Sequence, residues 1–227
     1  MKKIRVWDLP LRLFHWSLVI VIVAAVVAQK IGGDAMVWHF RCGYAALTLV
    51  LFRILWGFFG PEYARFANFM VRPRAVAAYV HDMKNGLKRP GKTHSLGHNP
   101  VGGWSVIALL TVVLTQAVSG LFSNDDIDSE GPLVKFISKA LSDQVSWFHA
   151  DVSGNVIYIL IGLHLAAIAY YRFGKKENLI KPMILGDKEV DAAEVDVPAA
   201  NDSAATRLLA LVLLAVSGAV VYVAVTW

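Results

Sequence analysis

Trp147-Phe148-His149-Ala150-Asp151-Val152-Ser153-Gly154-Asn155 opens a stretch that continues through Gly162-Leu163-His164 to Tyr171. From Val156 to Tyr171 it is largely apolar, and it belongs to a segment long enough to cross a bilayer. A histidine nevertheless stands near each end. Over that interval an α-helix rises about 22 Å and turns through a net rotation of roughly 60°. The two imidazoles therefore point to broadly the same side of one helix, at two depths. Ionisable groups inside a membrane are costly and face the interior of a bundle, where they have work to do. His15 and His39 lie in other apolar segments and need partners as well.

The composition agrees with a membrane setting. Of 227 residues, 56% are hydrophobic and 17% charged, below the roughly 25% typical of soluble domains. The formal net charge of +5 reads as loop charge on a membrane protein and not as a nucleic-acid surface. Cys42 is the one cysteine, so no intrachain disulfide can form, and it is expected to pack in the core. No CxxCH motif occurs, so haem of the covalently attached kind is excluded and any haem is held by ligands alone. The basic start, Met1-Lys2-Lys3-Ile4-Arg5, precedes an apolar run as in a signal peptide. That run carries His15 and no small-x-small site closes it, so it is expected to be retained.

Five spans are predicted. The first covers about 9–28, with Asp8 as its cap and Pro10 in the first turn. A Gly32-Gly33 turn leads to a second over about 37–59. The third covers about 102–122, the fourth 149–171 and a fifth 208–227. The fifth carries no histidine and reads as an anchor or lateral packing helix. Residues 73–83 and 133–141 have helical apolar spacing and are expected to form surface helices. The domain division is thus a membrane domain over 1–185, an acidic, alanine-rich linker over 186–206 and a C-terminal helix over 207–227.

The loop from Pro61 to Pro100 holds Arg65, Arg72, Arg74, Lys84, Lys88, Arg89 and Lys92 against Glu62 and Asp82. The 30–36 and 123–146 loops are poor in positive charge. The basic loop is therefore cytoplasmic, with the N-terminus on that side and the C-terminus outside, in the periplasm of a bacterial inner membrane. In that orientation His39 and His149 share the outer level, and His15 and His164 the inner one. Two depth-matched histidine pairs on facing helices are what two haems need, and this fits four paired histidines better than isolated core hydrogen bonds do. Gly43, one turn beyond His39, suits either a porphyrin face or plain helix packing, as do Gly154 and Gly162. Arg12, Arg41 and Arg53 suit either haem propionates or interfacial snorkelling. His81, His94 and His98 read as solvated, although His98 abuts the third span and stands within reach of an inner cofactor or quinone. The Asp125-Asp126 cluster reads as a solvated loop, with docking of a basic partner as the alternative.

At these positions the chain resembles the bacterial cytochrome b561 and nickel–iron hydrogenase b-type cytochrome family. The matching pieces are Val6-Trp7-Asp8-Leu9-Pro10 with Phe14-His15-Trp16, Trp38-His39 with Cys42-Gly43-Tyr44, and Arg53 with Trp56-Gly57. They continue with Gly97-His98-Asn99-Pro100 and Gly102-Gly103-Trp104, then Gly120-Leu121-Phe122 with Asp125-Asp126. His149, Gly162-Leu163-His164 and Glu177-Asn178-Leu179 complete the set, over about residues 5–185. The resemblance implies an all-α membrane protein whose four core helices hold two non-covalent haems b, linked to quinone. It implies His15, His39, His149 and His164 as axial ligands. The fifth helix lies outside it.

The expected function is electron transfer between membrane quinone and a periplasmic partner, either a c-type cytochrome or a dehydrogenase or hydrogenase subunit, with no role for nucleic acid. Two rivals stand beside it: a superoxide:quinone oxidoreductase, and a haem-free membrane scaffold or transporter. The charge pattern makes the topology testable. A reporter fused after Trp227 is expected to be active only if its kind works in the periplasm; a cytoplasmically active fusion would mean that the fifth apolar segment does not span.

Overall fold

A computed structural model describes residues 2–85, 96–127, 129–190 and 198–227. His94, Lys88, Arg89 and Lys92 of the basic loop, Asp128 of the acidic loop and positions 191–197 of the expected linker lie outside the described residues.

The elements in chain order are β1 (Lys2–Arg5), α1 (Leu9–Ile31), a 3-10 turn at Gly33–Ala35 and α2 (Met36–Phe59). After these come α3 (Phe66–Phe69), α4 (Pro73–Lys84), α5 (Pro100–Gly120) and α6 (Lys139–Trp147). A π-helical segment at Phe148–Ser153 leads into α7 (Gly154–Ala169), and a second at Tyr170–Gly174 ends it. The last elements are α8 (Ile180–Leu185), β2 (Asp187–Val190) and α9 (Ala204–Thr226). Among the described residues, five helical segments are long and apolar enough to cross a membrane: Leu9–Ile31, Gly33–Phe59, Pro100–Gly120, Lys139–Gly174 and Ala204–Thr226.

The span ends follow local chemistry. Asp8 Oδ1 accepts the Leu11 N–H at 2.8 Å and so starts α1. Gly32 and Gly33, at φ 69° and 53°, turn the chain where a side chain would be strained. Asn99 Oδ1 accepts the Gly102 N–H at 2.7 Å, with Pro100 in the first turn of α5. Pro73 does the same for α4, and the expected surface helix is present there.

Two regions differ from the expectation. The stretch 133–141 is not one surface helix. It makes a 3-10 turn at Val134–Phe136, goes extended at Ile137, and restarts at Ser138, whose Oγ accepts the Leu141 N–H at 3.3 Å. A β-branched residue followed by a capping serine favours this break over a continuous helix. The fourth span therefore begins at Lys139 and runs for 36 residues, ten earlier than its apolar run suggests. The second difference falls in the expected linker, where Asp187–Val190 pairs antiparallel with Lys2–Arg5, Lys3 opposite Glu189 and Arg5 opposite Asp187. Lone four-residue strands carry no periodic signal, and their partner is far away in sequence.

The chain falls into two compact units. One unit comprises Met1–Arg12, Leu55–Ala108 and His164–Ala210. In it, Asp8 and Trp56 are fully buried, and the Trp56 indole N–H donates to Asp8 Oδ1 at 3.1 Å. Burial pushes the Asp8 carboxyl above the usual carboxylate range, against the pull of its Leu11 and Trp56 donors. Arg5 pairs with Asp187 at 2.5 Å and Asp202 at 2.8 Å, and the Ala200 N–H donates to the Arg5 carbonyl, so the segment before α9 is tied to β1. The other unit comprises Leu13–Ile54, Leu109–Leu163 and Leu211–Trp227. Its core joins Leu47, Leu121 and Val221 from α2, the end of α5 and α9. Ser217 is buried, and the Cβ position of Gly218 lies 3.8 Å from Thr48 Cγ2, so α9 packs laterally.

Asp8 generates a stability prediction. Asp8→Ala leaves two buried N–H groups without an acceptor and is expected to cost about 1–3 kcal/mol, read as a lower unfolding midpoint in detergent. Asp8→Asn keeps an acceptor oxygen and is expected to recover most of that loss.

Candidate functional site

His149 stands in the first π-helical segment of the fourth span, where the Gly154 N–H reaches back five residues to the His149 carbonyl. Such bulges re-aim side chains and recur at functional sites. The ring meets α5. His149 Nδ1 lies 3.0 Å from the Gln116 carbonyl and 3.1 Å from Ser119 Oγ, and Nε2 lies 3.1 Å from the Gln116 amide nitrogen. A carbonyl only accepts, so Nδ1 carries the proton and Nε2 presents a lone pair. Gly120 completes the cradle: a Cβ there would stand 2.9 Å from His149 Cε1, so α5 approaches closely only without a side chain.

His39, in the first turn of α2, faces His149, with ring centroids 6.2 Å apart and planes at 88°. Its Nδ1 lies 2.9 Å from the Ala25 carbonyl of α1. Both rings are thus anchored through Nδ1 to a main-chain carbonyl, the arrangement that orients an imidazole and raises its basicity as a metal ligand. The two rings stand close across from one another, each with its Nδ1 engaged and its Nε2 left to act as a ligand. Among the described residues no group of three or more His, Cys, Asp or Glu could hold a bare metal ion. Two imidazoles suffice for an iron whose other four ligands come from a macrocycle, so the residues present fit a haem. The Gln116 amide, which donates to Nε2, must turn aside for it; the Gln116 Oε1 is buried with no hydrogen-bond partner among the described residues.

His15, on α1 in the same unit, is half-buried and edge-on to Trp16 at 5.1 Å. His164 belongs to the other unit, half-buried in α7. Arg53 is 2% exposed within α2. Arg41 is exposed, its guanidinium 4.9 Å over the Trp38 ring. Arg12 donates through Nη1 to the Ile184 carbonyl at 2.6 Å, at the end of α8 where a cation is favoured. A Cβ at Gly43 would meet nothing within 4 Å, so the space beside His39 is open. His98, expected to be solvated, is instead held between Trp7 at 4.8 Å and Phe69 at 4.6 Å. His81 is exposed, as expected.

Gln116 and Ser119 escaped the sequence reading. Their signal was present: a glutamine and a serine one turn apart in an apolar span, followed at once by Gly120.

Apolar spans carrying two carbonyl-anchored imidazoles suit a membrane protein that binds haem without covalent attachment. The family model for the prokaryotic cytochrome b561 matches residues 6–186, and the chain belongs to that family. It is 25% identical over 213 residues to the probable Ni/Fe-hydrogenase B-type cytochrome subunit of Azotobacter chroococcum mcd 1, covering 80% of this chain and 86% of that one. No solved structure matches it. It is therefore a multi-pass inner-membrane b-type cytochrome of electron transfer, and haem b is its cofactor.

Because Gly120 backs the His149 ring, Gly120→Val is expected to displace the imidazole. Haem content per polypeptide, read by the pyridine haemochrome assay, should fall at unchanged membrane levels of the protein.

Proposed function

We propose that the chain holds two haems b and carries electrons between membrane quinone and a redox partner on the periplasmic face. The observation that carries this reading is the His39–His149 pair, 6.2 Å between ring centres with each Nδ1 tied to a backbone carbonyl. These two hold the outer haem, and His15 and His164 hold the inner one. Bound haem supplies a one-electron carrier at each level, which divides the crossing of the membrane into short hops. The protein orients the ligands, excludes water and neutralises charge. Arg53, buried in α2, is the best placed of the three arginines to face a propionate. Arg41 meets the Trp38 face and Arg12 the α8 terminus, so their part in cofactor binding is secondary.

The dihaem domain spans 1–185, and α9 packs beside it. The basic N-terminal strand and α4 lie on the cytoplasmic side, and His39 and His149 on the periplasmic side. The likeness to a hydrogenase b-type subunit supports a hydrogenase or other dehydrogenase subunit as the partner, with a c-type cytochrome as the alternative.

The test is stoichiometry and ligand identity together. A pyridine haemochrome assay is expected to give close to two haems per polypeptide, extractable into acid-acetone. In EPR with redox titration, His39→Ala and His149→Ala should abolish the same low-spin signal, and His15→Ala and His164→Ala the other. A value near one haem, or His39→Ala and His149→Ala deleting different signals, overturns the assignment.

A further inference from the structure

Ser119 is 8% exposed in the last turn of α5 and takes part in a closed triangle with the Gln116 carbonyl and His149 Nδ1. Its Oγ lies 3.0 Å from the Gln116 carbonyl and 3.1 Å from Nδ1. The proton positions follow from which atoms can donate. The carbonyl only accepts, so the serine hydroxyl proton goes to it and the Nδ1 proton also points that way. The serine oxygen then has a lone pair directed at Nδ1–H, and that one proton is shared between two acceptors.

We propose that Ser119 is a positioning residue that sets the electron-donating strength of His149. The inference rests on the reading of His149 as an axial ligand. A second acceptor on Nδ1–H draws the proton outward and leaves more negative charge on the ring, which makes Nε2 a stronger donor. A stronger donor stabilises the oxidised metal and lowers its reduction potential. Among the described residues His39 Nδ1 meets the Ala25 carbonyl and no hydroxyl, so the two rings of the pair differ in kind. The hydroxyl acts at a spot where charge matters, because an apolar span offers little water to screen it. Gln116 contributes through its main chain, which no side-chain substitution removes, so Ser119 is the adjustable member.

The substitution that isolates the hydroxyl is a pair. Ser119→Thr and Ser119→Val add the same bulk, and only the first keeps the oxygen. Ser119 borders an open groove of about 530 Å³ whose walls include Val118, Phe122 and Val145, so one methyl has room. Potentiometric titration of the purified holoprotein, followed by optical and EPR signals, is expected to show one haem midpoint shifted upward in Ser119→Val. Ser119→Thr should stay at the wild-type value, and the second haem should be unmoved in both. Loss of that haem in Ser119→Val with retention in Ser119→Thr carries the same conclusion. Equal midpoints in the two variants, or loss of haem in both, would reduce Ser119 to packing and overturn the proposal. His149→Ala separates this from failure of the ligand reading: if it leaves both low-spin signals intact, His149 is not a ligand and the premise itself falls.

Discussion

The hydrogen bond from His149 Nδ1 to the Gln116 carbonyl is the constraint around which the site is built. A buried imidazole in an apolar span must place its one proton, and leaving it unpaired costs free energy comparable to a lost hydrogen bond. Once the proton is placed, the tautomer is settled, and with it Nε2 as the nitrogen that presents a lone pair. The neighbouring features serve that contact. Gly120 lets α5 come close, and the π-helical turn supplies a fourth span whose carbonyl at His149 is taken by Gly154 instead of by the residue before it. Ser119 fills the remaining acceptor position. On the opposite ring, the Ala25 carbonyl of α1 does for His39 what Gln116 does for His149.

The same rule governs the unit that contains the chain's N-terminal strand. Asp8 is fully buried, and its Oδ1 serves both the start of α1 and the Trp56 indole. Asn99 caps α5 with its oxygen and donates through its amide to the Tyr171 hydroxyl at 2.7 Å, which in turn meets the Tyr79 hydroxyl at 2.9 Å. Arg5 gathers Asp187 and Asp202. Where water is scarce, polar side chains are placed by the donors and acceptors they must satisfy. Meanwhile Leu13, Ile20, Val23 and Val27 of α1 and Leu208, Leu211 and Val216 of α9 lie exposed, as spans facing lipid require.

Much of the fold was legible because membrane helices announce themselves by length and apolarity. The second span was expected from 37 and begins at Met36, and the Pro73 helix was readable from its spacing. The break at Ile137–Ser138 was less visible, since a capping serine and an apolar helical face make opposing local signals and the cap prevailed. The β1–β2 pair was hidden for a different reason. Its strands are four residues each and lie at opposite ends of the chain, so their register exists only once they meet. His98 looked solvated because its neighbours in sequence are polar; the aromatic residues that enclose it, Trp7 and Phe69, come from elsewhere.

By itself the sequence determined the apolar spans, the membrane setting and the four histidines set within apolar segments. Each of these follows from residue types and from spacing along one helix, which local geometry fixes. Tertiary structure decided the rest of the site. Which carbonyl takes the His149 proton, how near α5 can come, and that Gln116 and Ser119 belong to the cradle all depend on contacts across more than thirty positions of chain for Gln116 and thirty for Ser119. Hydrogen-bond partners at that separation are chosen by how helices pack, and packing is a property of the assembled bundle of side chains, not of any one stretch.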